Sequence, residues 1–384
     1  MNKLKMVLKL CVSLSLILVA SAAMAGSIAV TVASDPGDAT VSNTLSWAIE
    51  QANTSGGPSV IILGTDVTMT GPMRVFIDTD LEIRSDETRR SIDGSQLYRP
   101  LFIRSGQVML RDFNLVNGRA IGGSSVAGGG GAGMGGALFV LNGNVEVRGV
   151  SFIDNLAHGG RGGSSGIGAG AGMGGDGLGE GGGGLFDSSG GTISAGAGTT
   201  GGAAGLLDPG GHGGFASGGG SSIFNVGGHG GFGAGGGSGI NGGDGGFGGG
   251  GGHGQGGETS LTSLNGRGGA GGFGAGGGHG AFESGPGGWG GGSGGGHGAG
   301  LGGAIFMHGG TLFLYESSFS NNQVTAGGND TTEAGGDLFI CTSNLHVTAA
   351  SCNAIARADE STVVPDVFGN LGSTVDEIFL DRFQ

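Results

Sequence analysis

Three stretches of this 384-residue chain decide how it folds: residues 101–118 (LFIRSGQVMLRDFNLVNG), 138–155 (LFVLNGNVEVRGVSFIDN) and 305–322 (IFMHGGTLFLYESSFSNN). They align without gaps. Phe102, Phe139 and Phe306 fall in one column, and Gly106, Gly143 and Gly310 in a second. Val108, Val145 and Leu312 form a third, and Leu110, Val147 and Leu314 a fourth. Each copy reads as strand, tight turn, strand and a third short apolar run, with alternate residues on one face. A decayed copy lies at 185–195 (LFDSSGGTISA), and a fifth at 338–353 (LFICTSNLHVTAASCN), which adds Phe339 to the first column. One such turn of chain cannot bury its inner face. Stacking the copies buries it and sets identical side chains in ladders, Phe on Phe and Asn on Asn. The expected fold is all-β, a parallel β-helix.

Outward from these copies, residues 26–119 are an ordinary polar and apolar mixture. Residues 44–53 (TLSWAIEQAN) predict a helix with Leu45, Ala48, Ile49 and Ala52 on one face and Asn43 or Ser42 as its cap. It would cover the first coil, which otherwise exposes an edge. Short β-branched runs follow at 60–63, 67–70, 81–83, 101–104 and 108–110.

GGALF at 135–139 with FIDN at 152–155, and GGAIF at 302–306 with FSNN at 319–322, resemble the GGA[IL] and FxxN repeat pair of the polymorphic outer-membrane-protein repeat family. TLSWAIEQAN resembles the opening of bacterial right-handed β-helix proteins of the pectate-lyase-like class. The resemblance covers residues 40–155 and 301–355. It implies a right-handed solenoid whose Phe102, Phe139, Phe306, Phe339, Phe152, Phe319, Asn155 and Asn322 form structural ladders. It also implies an exported, surface-displayed, adhesion-associated protein of a Gram-negative bacterium. Members often end in an autotransporter barrel; about 30 residues follow Cys352, too few for one.

Glycine accounts for 102 residues, and 72 of them lie within 159–300. There GGxGGFxxGGG recurs at Gly210, Gly227, Gly242 and Gly268, with a weaker copy around Trp289, placing Phe215, Phe232, Phe247 and Phe273 alike. Fixing a glycine costs about 0.5–1 kcal/mol more than fixing an alanine, so 72 of them cost on the order of 35–70 kcal/mol. The default expectation is a flexible, low-complexity excursion from the side of the solenoid. The alternative is close-packed, polyglycine-II-like rods with Phe at the rim. Residues 221–226 and 259–265 and the copy at 185 are candidate extra rungs.

Residues 1–25 read as a secretory signal: Lys3, Lys5 and Lys9, an apolar stretch, then Ala23-Met24-Ala25. The remainder carries 13 Arg against 30 acids, a net charge of −17, which disfavours nucleic acid. No later stretch is apolar enough to span a bilayer. Cys341 and Cys352 remain after signal cleavage and make a plausible disulfide, stabilising by about 3 kcal/mol. The implied organisation is signal 1–25, cap and first coils 26–158, glycine insert 159–300, further coils 301–355 and tail 356–384, whose IFLDRFQ ending resembles a sorting or processing tag.

His212, His229, His253, His279 and His297 lack the short spacing of a metal site. GGDGLGEGG at 174–182 is half of one calcium repeat, without the tandem array such sites need. Asp78, Asp80, Asp86 and Asp93 beside Arg84, Arg89 and Arg90 make 84–94 (RSDETRRSIDG) the best charged patch, read as a solvated loop. No P-loop or HExxH occurs. Neither a catalytic residue, a cofactor nor a metal is therefore assigned. The expected function is adhesin-like and non-enzymatic, secreted or at the outer membrane, with a carbohydrate or a host or neighbouring cell surface as partner. The alternatives are a carbohydrate-active β-helix enzyme and a structural-matrix or ice-interacting protein.

Overall fold

The computed structural model describes residues 26–256, 266–343 and 352–374. Among these the protein is almost all β, with parallel sheets and a single helix. The three largest sheets hold eight, six and five strands. The chain revisits them in a fixed order. Leu138–Val140 lies in the five-stranded sheet, Asn144–Arg148 in the eight-stranded and Ser151–Ile153 in the six-stranded. Each pairs on one side with the copy beginning at Leu101 and on the other with the copy beginning at Ile305. Phe139 is thus in register with Phe102 and Phe306, and Val145 with Val108 and Leu312. Gly106, Gly143 and Gly310 have φ of 101°, 139° and 83°, the left-handed region that the tight turn requires.

The helix, Leu45–Thr54, is capped by Thr44, whose side chain accepts the Trp47 N–H; Asn43, expected as a cap, instead turns the chain at φ 64°. Leu45, Ala48, Ile49 and Ala52 are fully buried against the first strands.

The copies at 138 and 305 are immediate neighbours, so none of the proposed extra rungs intervenes. The copy at 185 forms no strand: its Leu185 N–H donates to the Ala216 carbonyl. Residues 221–226 contribute only isolated bridges, at Ser222 and Val226; residues 259–265 lie outside the described residues. In the last copy the strand following Leu338–Ile340 is Ile355–Ala358, paired with Thr311–Tyr315. An ungapped alignment of 338–353 with the other copies puts 345–347 there and Cys352 in the Phe152 column. Cys352 bonds Cys341, next to the strand Leu338–Ile340. The longer interval between the two strands shifts the register, which ungapped alignment cannot follow.

Side-chain alternation divides the apolar residues between two cores. Leu138, Val140, Ile305 and Met307 face a central core with Val145, Val147, Leu312 and Leu314. Phe102, Phe139, Phe306 and Phe339 face the other way, into a second core shared with Phe247, Phe273, Met173 and Leu185. The Phe ladder is therefore on the outward face of its sheet, not inside the coil as the stacking argument had it.

The glycine segment makes that second core. Contrary to the flexible default, its described residues are packed, because glycine supplies hydrogen bonds where it lacks apolar surface. In the run 250–252, Gly250 N–H donates to Ala171, Gly251 to Gly276 and Gly252 to Gly243. The run 276–278 donates likewise to Gly130, Gly292 and Gly269. Successive amides point in three directions, as expected of an extended helix with about three residues per turn. Paired rods are joined by tight turns with Phe215, Phe232, Phe247, Phe273 or Trp289 at the first corner. A positive φ follows in each case, at Ala216, Gly233, Gly248, Gly274 and Gly290. Each turn closes with an i to i+3 bond, such as Gly249 N–H to Gly246 at 2.8 Å. The five corner rings stack with centroids 5.0–5.2 Å apart. They meet the Phe ladder edge to face, Phe247 on Phe306 at 6.1 Å and Trp289 on Phe339 at 5.6 Å.

His308 sits at this seam, edge-on to Phe247 at 4.7 Å, with Nδ1 bonded to the Leu141 carbonyl and Nε2 buried without a partner. Burial lowers its pKa, and lowers that of His253 in the same sense. The unfolded chain takes up protons on these rings below about pH 6.5 while the folded chain resists, so stability falls as pH falls through that value. The drop in Tm between about pH 7.5 and about pH 5.5 should shrink in His308→Phe. An unchanged drop would assign the pH dependence elsewhere.

Candidate ligand-binding face

The eight-stranded sheet turns Val145 and Val147 inward and Glu146 and Arg148 outward, as a pleated strand must. Its in-register neighbours make two outward columns. One runs Arg84, Arg111, Arg148 and Tyr315; the other runs Glu82, Met109, Glu146, Phe313 and Arg357. The three arginine side chains are 42, 39 and 38% exposed, whereas those of Glu82 and Glu146 are 7 and 4% exposed. The carboxylates thus lie beneath the guanidinium tips. Glu82 Oε1 stands 3.7 Å from Arg84 Nε and 3.5 Å from Arg111 Nη1, and Glu146 Oε1 3.2 Å from Arg148 Nη2. Arg148 also covers the Tyr315 ring at 4.6 Å.

Like charges on adjacent strands, about 4.8 Å apart, repel. Two glutamates offset three arginines only in part. The result is a flat positive strip on a strongly acidic chain, chemically suited to forked hydrogen bonds with carboxylate or sulfate groups. The column was present in the aligned copies, where Arg111, Arg148 and Tyr315 share a position.

The patch at 84–94 is an exposed loop only over 86–89. It contains the end of the strand Leu81–Ser85 and the whole strand Arg90–Asp93. Arg90 pairs with Asp86, and Arg89 bonds Asn114, Ser151 and the Gly149 carbonyl. Asp78 pairs with Arg104; Asp80 accepts from the Gln107 N–H, and Asp93 from the Ser95 N–H and Asn117. Only Arg84 of this group joins the strip.

Among the described residues no group of three or more His, Cys, Asp or Glu could hold a metal ion. The histidines serve the glycine rods: His212 and His229 stack at 4.8 Å, and each Nδ1 accepts an N–H of the next rod. His253 and His279 stack at 5.5 Å, and His297 Nδ1 accepts the Gly162 N–H. Phe152 and Phe319 stack at 4.8 Å in the central core. Asn155 donates to Asn322 Oδ1 at 2.9 Å, and Asn322 donates to Asp337, whose carboxyl burial holds above its ordinary pKa. These ladders are fully engaged within the protein. The signal segment and the IFLDRFQ ending lie outside the described residues. No helix among the described residues is long and apolar enough to cross a membrane.

No protein-family model, curated protein or solved structure matches the chain.

Proposed function

We propose that this protein is an exported, non-enzymatic, adhesin-like right-handed parallel β-helix that binds a polyanionic surface ligand. The carrying observation is the half-exposed column Arg84, Arg111 and Arg148 beside Tyr315. The cyclic return of the chain to the same parallel sheets supports the β-helix reading. Repeated carboxylate or sulfate groups on a linear polymer would meet the column one strand at a time. The alternative reading as a carbohydrate-active enzyme draws no support from Asp78, Asp80, Asp86 and Asp93, whose oxygens serve ion pairs and backbone amides.

The test is retention on immobilised dextran sulfate at low salt, against neutral dextran. The protein should be retained despite its net negative charge, and salt should release it because exposed charges are screened. Replacing Arg84, Arg111 and Arg148 together by Gln should abolish retention. Equal elution of the two proteins would remove the strip from consideration as the binding face.

A further inference from the structure

Where the glycine rods meet the first copy, the seam does not close. A cleft of about 580 Å³ remains, a size suited to a small molecule. One wall comes from Tyr98, Arg99 and the strand Leu101–Ile103; a second comes from the strand Arg119–Ile121; the third is the glycine segment, with Met173 and Phe186. Asp187 and Arg74 tie the seam with a bidentate pair at 2.7 and 3.1 Å, and Arg74 lies over Phe186. That pair is neutral as a unit.

The other two arginines of the cleft are not neutralised. Arg99 donates through Nε and Nη2 to the carbonyls of Gly135 and Met134, both at 2.8 Å, and its guanidinium lies 5.7 Å from the Phe102 centroid and 5.4 Å from that of Phe139. Among the described residues no carboxylate pairs with it. Burial pushes its pKa down to about 10, which still leaves it charged at neutral pH. Among the described residues the partner of Arg119 is neutral: the Arg119 side chain donates a 3.4 Å hydrogen bond to Gln96, and no carboxylate pairs with it. The lining carboxylate, Asp176, accepts the Ser124 N–H at 2.7 Å. The cleft therefore carries net positive charge, on a chain of opposite sign, against aromatic walls.

We propose that this cleft is a binding site for a small aromatic carboxylate, held by Arg119 and Arg99 with its ring among Tyr98, Phe102 and Phe186. The charge demands the carboxylate and the walls demand the ring. The cleft shares no residue with the Arg84 column, so the two sites stand or fall separately.

Indole-3-acetate and its uncharged amide are the probes, titrated calorimetrically into the protein without its signal segment. The acid should bind saturably and the amide at least tenfold more weakly, since a hydrogen bond to a charged group contributes about 1.5–3 kcal/mol. Arg119→Gln, which removes no bond to the backbone, should weaken the acid by a similar factor without changing the melting curve. Leu97→Trp, at an exposed position of the rim, should block the acid even if Arg119→Gln folds poorly. Absence of saturable binding, equal affinity for acid and amide, or unaltered binding in both variants would overturn the proposal.

Discussion

Gly272→Ala should unseat the glycine rods. A Cβ at Gly272 would lie 1.7 Å from the Gly246 carbonyl oxygen; one at Gly246 would lie 1.9 Å from that of Gly231, and one at Gly231 1.7 Å from that of Gly214. The obstacle is backbone of a neighbouring rod, which cannot rotate aside as a side chain can. Relief requires the rods to separate, breaking the amide bonds that hold them. The expected cost is at least the ~3 kcal/mol at the upper end of core overpacking. Gly190→Ala is the control: an added Cβ there meets nothing within 4 Å. Thermal melts of the two variants should differ by many degrees. Equal melts would mean that the rods are not packed at this distance in solution.

Deletion of residues 196–299 should have the larger effect. Read as a lateral excursion, that segment ought to be dispensable, because closing even a long loop costs only a few kcal/mol. The second core reverses the expectation. Deletion removes Phe215, Phe232, Phe247, Phe273 and Trp289, and uncovers Phe139, Phe306 and Phe339 along one sheet face. Re-exposing three rings costs on the order of 4.5–9 kcal/mol by area, comparable with the whole net stability of a domain. The product should bind a hydrophobic dye strongly and self-associate on size-exclusion chromatography. A monomeric product with an unchanged melting curve would show that the two cores are independent.

The sheet register was legible because the copies keep their length. Columns such as Val108, Val145 and Leu312 need only counting, and the helix needed only its apolar face. The same alternation puts Phe139 opposite its neighbours Leu138 and Val140, yet which face is central cannot be read from periodicity when both faces are buried. The fate of the glycines was illegible for a related reason. Their stabilisation lies in amide bonds between segments far apart in sequence, and a residue without a side chain carries no pattern to mark its partners. The one printed clue was the Phe–Gly or Trp–Gly pair at four of five turns, which a tight turn with positive φ at its second corner explains. The positive strip is legible only in part: Arg111 and Arg148 share a column of the aligned copies, whereas Arg84 precedes them and joins through strand pairing alone.

The two aromatic columns also impose a condition on how such a chain can change. Ring spacing is 5.0–5.2 Å along the rod turns and 4.6–5.1 Å along the sheet from Phe102 to Phe368. They are two combs of nearly equal pitch, and their teeth mesh only while the pitches agree. Drift by single substitutions is closed at most rod glycines, since a Cβ would strike a carbonyl. Change in length is open, but only in units of a whole hairpin, with the far loops absorbing the irregular 17-, 15- and 26-residue intervals. A hairpin gained without a matching strand leaves its ring bare to water, so the rod count and the strand count are bound to evolve together.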